Sequence, residues 1–184
     1  MIASLTGKVQ RTSLGLVVID VSGVGYLVNV SPATAAGLNP GVTLTLHTAY
    51  IVREDAHTIF GFESLEELEV FDLLRSVNGV GPKSALAIVA SVGVARVSEA
   101  VANDDDAVFR SVSGIGPKTA KLITVTLAGK LTANKNSVDA DLLAALIGLG
   151  YKDLQAKEAL RKASGASQQE RLRSALSVLS GANK

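Results

Sequence analysis

The segment RSVNGVGPKSA, residues 75 to 85, returns 35 residues later as RSVSGIGPKTA, residues 110 to 120, changed only at Asn78/Ser113, Val80/Ile115 and Ser84/Thr119. A duplicated turn of this kind constrains the chain more than its composition does. Two glycines flanking one apolar residue let the backbone turn through φ > 0 and come close to a ligand with no Cβ in the way. Pro82 and Pro117 follow, each suited to the first turn of a helix, where a missing N–H costs little. Each copy is therefore expected to join an apolar helix end (Leu74 and Val77; Phe109 and Val112) to a new helix whose free amides can seat a phosphate oxygen.

This is the helix-hairpin-helix pattern. Its candidate DNA-binding residues are Gly79, Gly81, Lys83 and Ser84 in the first copy and Gly114, Gly116, Lys118 and Thr119 in the second. None of these groups is placed to read a base edge, so recognition should be of backbone shape and not of sequence. The bland alternative is a turn between packed helices with solvated lysines. Packing accounts for Val80/Ile115 and Ala85/Ala120, but it gives no reason to keep an exposed amine in register. Two hairpins related by a local pseudo-twofold can grip both strands of a duplex across its minor groove, which makes duplex DNA the favoured ligand.

The rest of the 184-residue chain narrows the function classes. There is no cysteine, which excludes disulfides and thiolate metal sites, and His47 and His57 are the only histidines, which makes histidine chemistry a poor fit. No signal peptide or transmembrane pattern is present, so a soluble cytoplasmic protein without a membrane partner is expected. Net charge is +1, with three basic and three acidic residues in 1–62, seven and nine in 63–130, and eight and five in 131–184. Bulk charge does not announce a polyanion; any DNA contact must be local.

The pattern along the chain predicts an α+β multidomain protein. Residues 16–21, 24–30 and 43–52 alternate as strands, and with MIASLTGKV before them and HTIFGF after, about five strands fit in residues 1–62, the size of an OB-fold barrel, with an SH3-like barrel as competitor. Ser64-Leu-Glu-Glu67 reads as a capping box opening a helical domain, residues 63–130. Asn103 and Asp104 to Asp106 read as the cap and first turn of the helix feeding the second hairpin; a metal site is the sharper alternative. Residues 131–137 read as a linker, and 138–184 as a third domain of three short amphipathic helices, with Gly150 as a helix C-cap.

Taken in order, M-I-x-x-L-x-G at the start, VREDA at 52–56, FGF, the NGVGPK and GIGPKTA hairpins and ALIGLGYK resemble the RuvA family, the Holliday-junction-binding subunits of the bacterial branch-migration machine. The resemblance spans essentially the whole chain. It implies a non-catalytic homotetramer without cofactor or metal, holding four-way junction DNA open as one tetramer or two. It further implies a UBA-like third domain that contacts the hexameric ATPase RuvB, and RuvC resolvase as a further partner. By the same resemblance Glu54 and Asp55 form an acidic pin: eight carboxylates around a fourfold axis, repelling phosphates where the arms meet. Without the family they read as solvated turn residues. Arg53 either orders that turn or meets a phosphate. Leu149, Tyr151 and Leu179 are expected to face RuvB, with Leu146 in the core. One departure stands out: where the family reads T-A-E-R-L, this chain reads Thr119-Ala120-Lys121-Leu122-Ile123, so Lys121 is the candidate substitute for the usual arginine.

Two rival functions remain open on sequence. A helix-hairpin-helix DNA glycosylase would use a hairpin lysine as nucleophile and an acid such as Asp104, but 63–130 is short for a base-flipping pocket and the chain has no Trp. A non-DNA adaptor protein would use the hairpins for protein partners.

Overall fold

Strands β1 (Ser4–Ser13), β2 (Leu16–Val21), β3 (Val24–Asn29), β4 (Thr43–Val52) and β5 (His57–Phe62) form the first part of the computed structural model. It describes residues 1–165 and 167–181, with side chains described at all of these except 129, 131–141, 180 and 181. The five strands close into a barrel in the order β1-β2-β3-β5-β4, the OB-fold arrangement, antiparallel except where Val28 and Asn29 pair in parallel with Ile59 and Phe60. Alternation decides which side chains fill it: Leu5, Val9, Val17, Ile19, Val28, Val30, Leu46 and Ile59 are all buried together. Closure requires a glycine at one point. A Cβ on Gly7 would lie 2.1 Å from the Asp20 carbonyl oxygen, so only a bare backbone lets β1 cross β2 there.

The strand pattern does not reveal α1 (Pro32–Gly37), a six-residue helix capped by Ser31, whose hydroxyl accepts from the Thr34 amide at 2.9 Å. Helix α2 (Leu65–Arg75) begins with the expected capping box, Ser64 accepting from the Glu67 amide while the Glu67 carboxylate accepts from the Ser64 amide. Phe71 on α2 packs its ring 5.3 and 4.8 Å, centroid to centroid, from Phe60 and Phe62 of β5, fastening the helical part to the barrel. Helices α3 (Pro82–Val92), α4 (Val94–Ala102) and α5 (Ala107–Arg110) follow, then α6, whose bounds are Pro117–Gly148.

The acidic run is divided differently from expectation. Asn103 is the C-cap of α4, its amide donating to the Glu99 carbonyl. Asp104 takes a left-handed conformation (φ 53), Asp105 accepts from the Ala107 amide at 3.1 Å, and Asp106 sits at the N-cap position of α5 without a side-chain bond to it. Among the described residues no cluster of His, Asp and Glu could hold a metal ion.

The chain divides into two compact units, Met1–Ala128 and Gly129–Lys184. The expected linker, 131–137, falls within the bounds of α6, and its side chains lie outside the described residues. In the second unit the end of α6 packs with α7 (Asp153–Lys162) and α8 (Gln168–Gly181) around Leu142, Leu146, Ala156, Leu160, Ala175 and Leu179. Gly150, at φ 93, ends α6 in a Schellman turn: the Tyr151 amide donates to the Leu146 carbonyl at 3.2 Å and the Gly150 amide to that of Ile147 at 2.9 Å.

Candidate nucleic-acid interface

From the serine hydroxyls to the first bond of the following helix, the two hairpins are built alike. Ser76 and Ser111 close the preceding helices, their hydroxyls donating to the carbonyls of Leu73 and Val108 at 2.7 Å in both copies. The Val77 and Val112 amides donate to the Leu74 and Phe109 carbonyls, and those of Val80 and Ile115 to the Val77 and Val112 carbonyls, each at 3.1 Å. Gly79 and Gly114 both stand at φ 86, a region that disfavours any side chain. Ala85 and Ala120 then make the first helical bonds, to the Gly81 and Gly116 carbonyls at 2.9 Å. Gly81 has no side chain to cap α3, so the first amides of that helix stay open.

Burial separates the residues that build the turn from those it presents. Val77/Val112, Val80/Ile115, Ala85/Ala120 and Ile88/Ile123 are all buried, while Lys83 and Lys118 are exposed and, among the described residues, in no ion pair. Arg75 and Arg110, at the hairpin entrances, are instead matched to Asp72 at 2.8 Å and Asp106 at 3.0 Å. The hairpins lie side by side: a Cβ on Gly79 would meet the Thr119 hydroxyl at 3.5 Å. Lys83 and Leu86 of α3 share a groove of about 600 Å³ with Val112 and Ser113 of the second hairpin and with Pro32 and Ala33 of α1. The sequence gives no hint of this groove, because its walls are far apart in the chain.

Lys121 is exposed as well, but occupied. Its ammonium donates to Asp104 at 2.5 Å. The Lys121 hydrogen bond holds the Asp104 carboxyl below the ordinary carboxylate range. Asp104 is thus engaged with Lys121 and with neither hairpin lysine, which removes it from the acid role a glycosylase would need.

Strand β1 stops pairing with β4 at His47 and β3 leaves β5 at Ile59, so from the Ile51–Thr58 pair to the Val52–His57 pair β4 and β5 continue as a two-stranded ribbon. The Arg53 amide donates to the Ala56 carbonyl at 2.8 Å and closes the turn, so Arg53 orders it through its backbone. Glu54 and Asp55 form the exposed tip. Below them the Tyr50 hydroxyl hydrogen-bonds His57 Nδ1, with the two rings 5.7 Å apart, a brace that no sequence motif marks.

In the second unit the expected partner-facing residues separate. Leu149 is 63% exposed and Tyr151 is half-buried against the core, but Leu179 is only 7% exposed. The expectation for Leu179 is corrected: α8 turns that residue inward to fill the three-helix core. Ile147 and Leu154 are exposed in its place.

Residues 1–61 match the family model of the RuvA N terminal domain, 71–129 that of a SAM-like helix-hairpin-helix tandem, and 137–180 that of the RuvA C-terminal domain. Three relatives bear the name Holliday junction branch migration complex subunit RuvA. The protein of Leifsonia xyli subsp. xyli is 45% identical over 93% of this chain and 89% of its own length. That of Clavibacter michiganensis subsp. michiganensis is 46% identical over 91% and 83%, and that of Mycobacterium bovis (strain BCG / Pasteur 1173P2) 39% over 97% and 98%.

Proposed function

The chain belongs to the RuvA family, and from that premise we propose that it binds Holliday junctions, independently of sequence, as the non-catalytic DNA-binding subunit of a branch-migration complex in recombination and repair. The observation that carries this reading is the pair of hairpins with the same turn hydrogen bonds and on each an exposed lysine that forms no ion pair among the described residues. Open amides and an ammonium at each turn suit one phosphate on each strand of a duplex arm. Gly79, Gly81, Lys83 and Ser84 serve one strand; Gly114, Gly116, Lys118 and Thr119 serve the other.

Four copies around one axis bring four such pairs to four arms, so a homotetramer is the working assembly, with a second tetramer able to close the opposite face and RuvC to occupy it when it is open. Residues 1–62 supply the barrel and acidic pin, 63–130 the DNA grip, and 138–184 the surface for RuvB, which supplies ATP hydrolysis. Leu149 and Tyr151 are the partner-facing residues of that surface. The cytoplasm is the compartment this work requires, and no single described helix is long and apolar enough to cross a membrane.

The test is a competition between a labelled four-way junction and linear duplex at fixed salt, run for the wild type and for Glu54→Gln with Asp55→Asn. The wild type should prefer the junction strongly. The neutralised pin should raise affinity for linear duplex far more than for the junction, because the charges that repel duplex from the centre are gone. No preference in the wild type would overturn junction binding, and equal gains on both DNAs would overturn the pin.

A further inference from the structure

Aligned on their 35-residue offset, the hairpins diverge one residue beyond the shared motif, at Leu86 in the first and Lys121 in the second. Leu86 is half-buried in the groove beside α1, whereas Lys121 stands exposed three residues after Lys118, on the same face of α6. Its partner Asp104 lies 17 residues earlier, at the end of α4, in a left-handed conformation that few side chains other than Asn and Asp tolerate. Both side chains are more than half exposed, at 52% and 63%, and an ion pair so wet does little for folding. What the pair does is place an anionic oxygen on a lysine at the mouth of a phosphate-binding turn.

We propose that Asp104 is an internal competitor for DNA phosphate: its carboxylate occupies Lys121 as a phosphate oxygen would, and so withholds a second cation of the second hairpin from the duplex. This rests on the reading that the hairpins bind backbone phosphate. The second hairpin then holds DNA through Lys118 and its amides, and Lys121 stays silent while Asp104 is ionised. The first hairpin has no such device, because Leu86 offers no cation to withhold.

The experiment measures log K against log salt for wild type, Asp104→Asn, Lys121→Gln and the double variant on a four-way junction and on linear duplex. Asp104→Asn should tighten binding and steepen the slope by about 0.9 for each engaged protomer, a three- to fourfold gain in salt sensitivity per protomer over a fourfold change in salt. Lys121→Gln alone should leave the slope at the wild-type value, and the double variant should return to it. An unchanged slope in Asp104→Asn overturns the proposal, as does a gain that survives in the double variant, which would make Asp104 a direct repeller of DNA. Asn suits the positive φ, and should that variant melt early, Asp104→Gly carries the same comparison without backbone strain. Lys83→Glu with Lys118→Glu, run alongside, separates the two failures. If it binds like wild type the hairpin reading is lost; if it fails to bind while Asp104→Asn is silent, only the competitor is lost.

Discussion

The two hairpins share the hydrogen bonds from the serine hydroxyls through Ala85 and Ala120 and differ in what covers the helix that follows. In α3, Leu86, Ala87 and Ala90 line the groove beside the barrel, and the helix ends at Gly93, which takes φ 79. At the equivalent positions of α6, Lys121 is exposed, Leu122 is 40% exposed, Val125 is 61% exposed, and the helix runs on. Even the buried face differs: Val89 in the first copy is matched by Thr124 in the second, whose hydroxyl donates to the Lys121 carbonyl at 2.9 Å. The turn is therefore fixed by local chemistry, while its flank is fixed by the neighbour. A motif repeated in sequence can be equivalent at the ligand and inequivalent one helical turn away.

The largest expected effect breaks the shared part. Lys83→Glu and Lys118→Glu should each weaken junction binding by a similar factor, and together should reduce it to the level of non-specific attraction, with the salt slope falling by about 0.9 per lost phosphate contact. Titrations over a salt series check this, and an unchanged slope would show that neither lysine touches backbone.

A reciprocal swap sharpens the difference. Leu86→Lys places a charge against the barrel groove and should cost about 1 kcal/mol, roughly half the value of a fully buried leucine, or about 2–4 °C in melting temperature. Lys121→Leu should change the melting temperature only slightly, because that position faces water and its ion pair with Asp104 is exposed. Equal losses would mean the two flanks are covered alike.

The smallest effect is a pH dependence confined to the second hairpin. The folded Asp104 carboxyl titrates below its ordinary value of 3.8, so the stability it adds is present above pH 3.8 and is lost as pH falls through the folded value. The melting-temperature gap between wild type and Asp104→Asn should be slight at neutral pH and vanish in acid. A gap that grows on acidification would reverse the sign.

Most of the fold could be read from residues whose partners are near in the chain. Alternation located the barrel strands, Ser64 and Glu67 marked the start of α2, and G-h-G-P-K located both turns and both exposed lysines. Partners distant in sequence left no such mark. The family resemblance set Leu179 on a partner-facing surface, but only the packing of α7 and the end of α6 against α8 decides that this residue is core. The run 103–106 looked like one cap because all four residues suit capping; in the fold it serves two helices and a lysine 17 residues further on. Helix α1 carried its signal in Ser31-Pro32, yet buries only Ala35, too little apolar face to show periodicity.

Beyond the Tyr50–Ile59 pair the acidic tip rides on a short cantilever. Its stiffness comes from the two residue pairs Ile51–Thr58 and Val52–His57, clamped at the root by the closed barrel and braced by the hydrogen bond from Tyr50, seated on the barrel core, to His57. Two strands alone are marginal in water, so the root and the brace set how far the tip can deflect. In the proposed tetramer, four such beams meeting at one point would each yield under the push of a passing phosphate, and the spread of their tips would set the width of the opening through which a strand can slide.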